Sequence, residues 1–166
     1  MNKITRREFI QSGTVGIGFF FLQNNVVDAS FPTKYELIAS KASHKFADNL
    51  PRSSLWLYNK ACPGPLITAR KGEILEVKFT NRLEQPTTVH WHGIRNLNKI
   101  DGVSTLTQPA IEPGESYTYR FPVKDSGTFW YHAHHKAWEQ VARGLYGPLI
   151  VTEYNDEKSS ITKKQL

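Results

Sequence analysis

The sequence predicts an all-β domain, a Greek-key β-sandwich of antiparallel type, and three observations carry that prediction. Beyond residue 30 the chain breaks into short segments rich in β-branched and aromatic residues. Glycine and proline punctuate those segments at close intervals. No stretch of that region carries a helical period over ten or more residues, and many short strands with frequent turns are the signature of a sandwich.

The segments follow in order. Tyr35 to Ala39 opens the series, and Ser54 to Tyr58 leads into the turn Cys62-Pro63-Gly64-Pro65, which feeds Leu66 to Ala69. Lys71-Gly72 turns the chain into Glu73 to Phe79. There Ile74, Glu76 and Lys78 share one face while Leu75, Val77 and Phe79 share the other, a strict period of two with one wet side and one dry. Asn81 to Gln85 reads as a polar loop, and Pro86 introduces a strand over Thr87 to His92. Turns at Asp101-Gly102 and Pro113-Gly114 precede the alternating Tyr117 to Phe121. Asp125-Ser126-Gly127 opens a further strand that runs into His132-Ala133-His134. Gly144 and Gly147-Pro148 then deliver the chain into Leu149 to Thr152.

At 166 residues the chain is one domain plus terminal extras, and a domain of this size buries roughly 70% of its unfolded surface, enough for an independent core. Residues 1–29 read as a twin-arginine export signal. Arg6-Arg7 precedes the uncharged ten-residue run Gly13 to Leu22, with a small-residue exit at Val27-Asp28-Ala29. That run is too short for a membrane anchor, which needs ~20 residues. The expected destination is the bacterial periplasm, with the domain at 30–154 and a polar tail or truncated linker at 155–166. The formal charge of +6 falls to +5 without the signal, which holds three basic and two acidic residues. The charges are scattered, so they read as a solvated basic surface and not as a nucleic-acid patch. Cys62 is the only cysteine, which excludes an internal disulfide even in an oxidising compartment.

Four of the six histidines fall in two His-x-His units, His90-Trp91-His92 and His132-Ala133-His134. In a strand, residues two apart project to the same face, so each unit can present two imidazoles side by side. One such unit alone is often mere surface alternation. Two, each flanked by aromatics and each on an expected strand, read as a metal site if the strands are neighbours. Imidazole accepts copper, zinc, iron or nickel, so the donor type alone does not name the metal. His135 follows His134 directly and belongs to the opposite face if the strand continues, and His44 sits in a polar, lysine-flanked segment.

An ordered series of motifs makes the metal specific. Tyr58-Asn59, Pro63 to Ile67, His90-Trp91-His92-Gly93, Asp101-Gly102-Val103, Thr107-Gln108, Pro113 to Ser116, Gly127 to His134 and Gly144 to Ile150 together resemble the first cupredoxin (plastocyanin-like) domain of a multicopper oxidase, of the laccase and ascorbate-oxidase kind. The resemblance spans about Leu55 to Val151. It implies copper as cofactor and a β-sandwich contributing half of the histidines of a three-copper cluster that reduces dioxygen. By the same resemblance His90 belongs to the type 2 copper, and His92, His132 and His134 to the type 3 pair.

The chain also departs from that family. A complete member holds an electron-entry copper on a cysteine flanked by histidines, whereas Cys62 lies between Ala61 and Pro63 and reads as a packing residue. The only methionine is Met1, and no further His-x-His unit is present. The expectation is a domain not competent in catalysis alone, from a truncated or split reading frame. Its partner would be a separately encoded oxidase domain or further copies of itself. Competing readings are a stand-alone copper-buffering protein, a remnant of a decayed gene, and zinc hydrolysis. The last lacks a carboxylate base within either motif.

Overall fold

The computed structural model describes residues 32–153. The expected export signal at 1–29 and the expected tail at 155–166 lie outside the described residues. Eight strands form two four-stranded sheets. They are β1 (Thr33–His44), β2 (Ser53–Tyr58), β3 (Ile67–Arg70), β4 (Ile74–Asn81), β5 (Val89–His92), β6 (Ser116–Pro122), β7 (Gly127–Ala133) and β8 (Tyr146–Thr152). The first sheet has the order β2-β1-β4-β6 and the second β3-β8-β7-β5. The only helical pieces among the described residues are a 3₁₀ turn at Asn98–Ile100 and one α turn, α1 (Ala137–Gln140).

The expected all-β sandwich is thus present, with one correction: the sheets are mixed. β1 pairs with β4 and β3 with β8 in parallel, while the other four pairings are antiparallel. The reason is topological. A parallel neighbour needs a long crossover. Here the chain between β1 and β4 runs through β2 and β3, and that between β3 and β8 through strands of both sheets.

Alternation places the core. In β4, Leu75, Val77 and Phe79 are fully buried, as the period of two requires. In β5, Val89 and Trp91 point inward and are fully buried; in β7, Tyr131 and Ala133 do the same. The Trp91 ring lies 5.4 Å from Tyr119 and 5.1 Å from Phe121, so one large aromatic bridges the two sheets. The Tyr119 hydroxyl also accepts the Val89 N–H at 3.0 Å, tying β6 to the start of β5. Burial drives the phenols of Tyr58, Tyr119 and Tyr131 well above the ordinary tyrosine range. Tyr131 reaches past Gly147, where a Cβ would collide with its ring, and donates to the Pro65 carbonyl at 2.6 Å.

The segment expected as a polar loop over Asn81 to Gln85 is in part interior. Asn81 ends β4 fully buried, and its side chain accepts the Leu83 N–H and donates to the Gln85 and Ile111 carbonyls. Leu83 is buried with it. A polar residue reads as exposed in sequence, but a side-chain amide that satisfies three backbone groups can sit inside at little cost.

Candidate metal centre

If Trp91 and Val89 face the core, His90 and His92 must face the other way, onto the outer surface of the β3-β8-β7-β5 sheet. β5 and β7 are antiparallel neighbours, and the register sets His90 opposite His132 and His92 opposite Trp130. Directly opposed residues share a face, so both His-x-His units project into one patch. Their neighbourhood is decided by a pairing 42 residues long in sequence, which neither unit specifies alone.

Three of the four imidazoles form a compact group: one ring nitrogen each from His90, His92 and His132 lies within 4.8 Å of the other two. His92 Nδ1 and His132 Nε2 are 3.3 Å apart. Two nitrogens held tetrahedrally about 2.0 Å from one ion stand about 3.3 Å from each other, so that spacing suits a shared cation. His134 lies just past the end of β7, its ring 5.1 Å from His90 and 6.0 Å from His132. The patch therefore gathers all four expected histidines, with three in a tight set and the fourth against its edge.

The second nitrogens are partly spoken for. His90 Nδ1 sits 2.7 Å from the Asp101 carbonyl, and His132 Nδ1 sits 2.9 Å from the Ala133 carbonyl. A carbonyl only accepts, so each Nδ1 carries the proton and each Nε2 keeps its lone pair for a metal. The Asp101 carboxylate lies close to the same nitrogen, at 3.5 Å. His132 is 7% exposed. Burial lowers its pKa from 6.5 to about 4 against the opposing pull of the Ala133 carbonyl, and the nearby rings of His90, His92 and His134 lower it further. Neutral imidazole, the ligating form, is what burial favours at His132.

Asp101 reaches His90 because of the residue that follows it. Gly102 has φ +76°, and a Cβ there would strike the Val89 carbonyl on β5. Only glycine lets the loop lie that close to the strand. Trp130 covers the site from the side, its ring 4.2 Å from His132 and 4.9 Å from His92, and is 38% exposed. Alternation from His132 puts Trp130 on the histidine face, so this neighbour was legible in the sequence. The Asp101 and Ala133 carbonyls were not, because a backbone acceptor leaves no mark on residue identity.

The remaining candidates sit elsewhere. His135 Nδ1 pairs with the Ser104 hydroxyl at 3.0 Å, outside the three-ring group. His44 closes β1 and packs edge-on against Phe46. The Cys62 thiol lies 3.8 Å from the Tyr146 hydroxyl, also outside the imidazole group.

A sequence-family profile described as multicopper oxidase matches residues 39–156. The chain belongs to the multicopper oxidase family. Laccase-1 of Cryptococcus neoformans var. grubii serotype A is 34% identical over 148 residues, covering 87% of this chain and 23% of that protein. Copper resistance protein A of Pseudomonas syringae pv. tomato is 42% identical over 100 residues, covering 60% of this chain and 16% of that protein. The crystal structure of a multi-copper oxidase from Pseudomonas thermotolerans superposes with a TM-score of 0.71 at 41% identity, over 74% of this chain and 30% of that one. This multicopper oxidase domain thus has the cupredoxin-like fold, and it spans under a third of each of these relatives. The family's metal is copper, and the imidazole cluster is a donor set that copper accepts.

Proposed function

We infer that this domain supplies His90, His92, His132 and His134 to a trinuclear copper cluster at which dioxygen is reduced with electrons from a substrate oxidised elsewhere in the assembly. One observation carries the reading. The imidazoles gather on the outer face of a sheet, not in the core, beside partly exposed Trp130 and Tyr146, so the site opens toward whatever covers that face. Bound copper would supply one-electron chemistry toward dioxygen. The chain's own part is to hold the ligands: the Asp101 and Ala133 carbonyls fix the tautomers of His90 and His132, and Trp130 walls off water on one side. By family resemblance, His90 serves the type 2 copper and the other three the type 3 pair. The remaining ligands come, on this reading, from another oxidase domain or from further copies of this chain, and the electron-entry copper from another oxidase domain, because Cys62, the only cysteine in the sequence, lies outside the imidazole group. The Arg6-Arg7 motif supports export by the twin-arginine route and a periplasmic setting.

A second reading, copper buffering without turnover, is favoured by the placement of Cys62. The only thiol in the sequence contacts Tyr146 and no histidine, so the described residues offer no cysteine-based electron port. One experiment separates the two. The full chain, purified free of metal under anaerobic conditions, is titrated with cuprous ion, and oxygen uptake is then followed alone and after mixing with an oxidase domain that carries a His-Cys-His motif. Oxygen uptake that appears only in the mixture supports the cluster reading. Stoichiometric copper with no uptake in either case supports buffering. Failure to bind copper at all would sink both.

A further inference from the structure

We propose that Thr88 is the positioning residue for His134, its hydroxyl engaging the non-ligating ring nitrogen of that histidine once a metal is bound. This rests on the copper-ligating role proposed above. The β5–β7 register extends by one step beyond the named strands, because the His134 N–H donates to the Thr88 carbonyl at 3.2 Å. Val89 faces Ala133 and His90 faces His132, so Thr88 faces His134 directly. Alternation puts both on the copper-facing surface, with Cβ atoms about 4.5–5.5 Å apart.

Two observations then meet. Thr88 is fully buried, yet its Oγ1 has no hydrogen-bond partner, and an orphaned buried hydroxyl is a cost a folded chain rarely carries without use. His90 and His132 have their Nδ1 atoms held by carbonyls, whereas among the described residues no hydrogen bond holds a ring nitrogen of His134. Each group lacks what the other offers. Closing His134 onto a metal requires one ring nitrogen free and the other anchored, and the threonine hydroxyl can accept or donate, whichever the tautomer needs.

The test uses the full chain with cupric ion alone as probe, competed against a chelator of known affinity. Thr88→Val removes the hydroxyl and keeps the shape. It is expected to weaken copper binding 10- to 100-fold, as loss of a residue that orients a ligand does, while Thr88→Ser restores it to within about 3-fold. The metal-free Thr88→Val protein should be at least as resistant to heat as the parent, because the orphan is gone; a merely structural threonine would lower it. In a His134→Ala background, Thr88→Val should have no further effect on copper affinity. Equal affinity of the parent and Thr88→Val overturns the inference while leaving the copper-ligating role intact, as does an undiminished effect in the His134→Ala background. A parent chain that binds no copper overturns both.

Discussion

His132 shows how an ordinary residue becomes a ligand. Its neighbours Tyr131 and Ala133 are drawn into the core, its own side chain is left on the outer face, and Trp130 then covers it. Burial makes the charged form costly, so its pKa drops from 6.5 to about 4. The unfolded chain takes up a proton near 6.5 where the folded chain does not, so this contribution to stability is complete above pH 6.5 and is lost as pH falls toward 4. We expect urea unfolding of the metal-free protein to show a loss on the order of 2 kcal/mol across that interval from this group. His132→Gln should flatten the dependence, and an unchanged slope in that variant would show that the effect lies elsewhere.

At the level of elements, the site is built from one strand pair and one loop. β5 and β7 set the rings side by side, and the loop over Asp101-Gly102 locks the first of them. Gly102→Ala puts a methyl group into the Val89 carbonyl from a backbone angle that side chains disfavour. The loop must lift, and His90 then loses the carbonyl that fixes its tautomer. The expected result is a loss of about 1–3 kcal/mol in stability together with a 10- to 100-fold fall in copper affinity, read by chemical denaturation and chelator competition. Destabilisation with affinity preserved would mean that Asp101 is not what holds His90. The turn residues were legible as turns, and Gly102 was among the motifs noted from the sequence. Its role in supporting a histidine was not, because that depends on a contact with a strand that precedes it by a dozen residues.

For the molecule as a whole, the two sheets create a core that needs no disulfide, with Trp91 packed edge-on against Tyr119 and tilted against Phe121, and leave one outer face free to carry the histidines. A metal that binds only the folded arrangement must stabilise it by mass action, about 2.7 kcal/mol at a free concentration one hundred times the Kd. Copper should therefore raise the unfolding midpoint of the parent chain in a concentration-dependent way, and His90→Ala combined with His132→Ala should abolish the rise. A rise that persists in the double variant would place the copper on other groups.

Residue types and local period were enough to predict the sandwich, the wet and dry faces of β4, the shared face within each pair of histidines and the metal family they resemble. These are properties of adjacent residues: alternation fixes which side chains share a face, and Gly and Pro fix where strands stop. Tertiary structure decided what depends on distant segments meeting. It made two strand pairings parallel, drew Asn81 and Leu83 inside, brought one ring nitrogen each of His90, His92 and His132 within 4.8 Å while leaving His134 at the edge, and supplied the carbonyls that orient two of the rings. The physical reason is that a side chain's face is set by its own strand, but its partners are set by register, and register is a property of the pair.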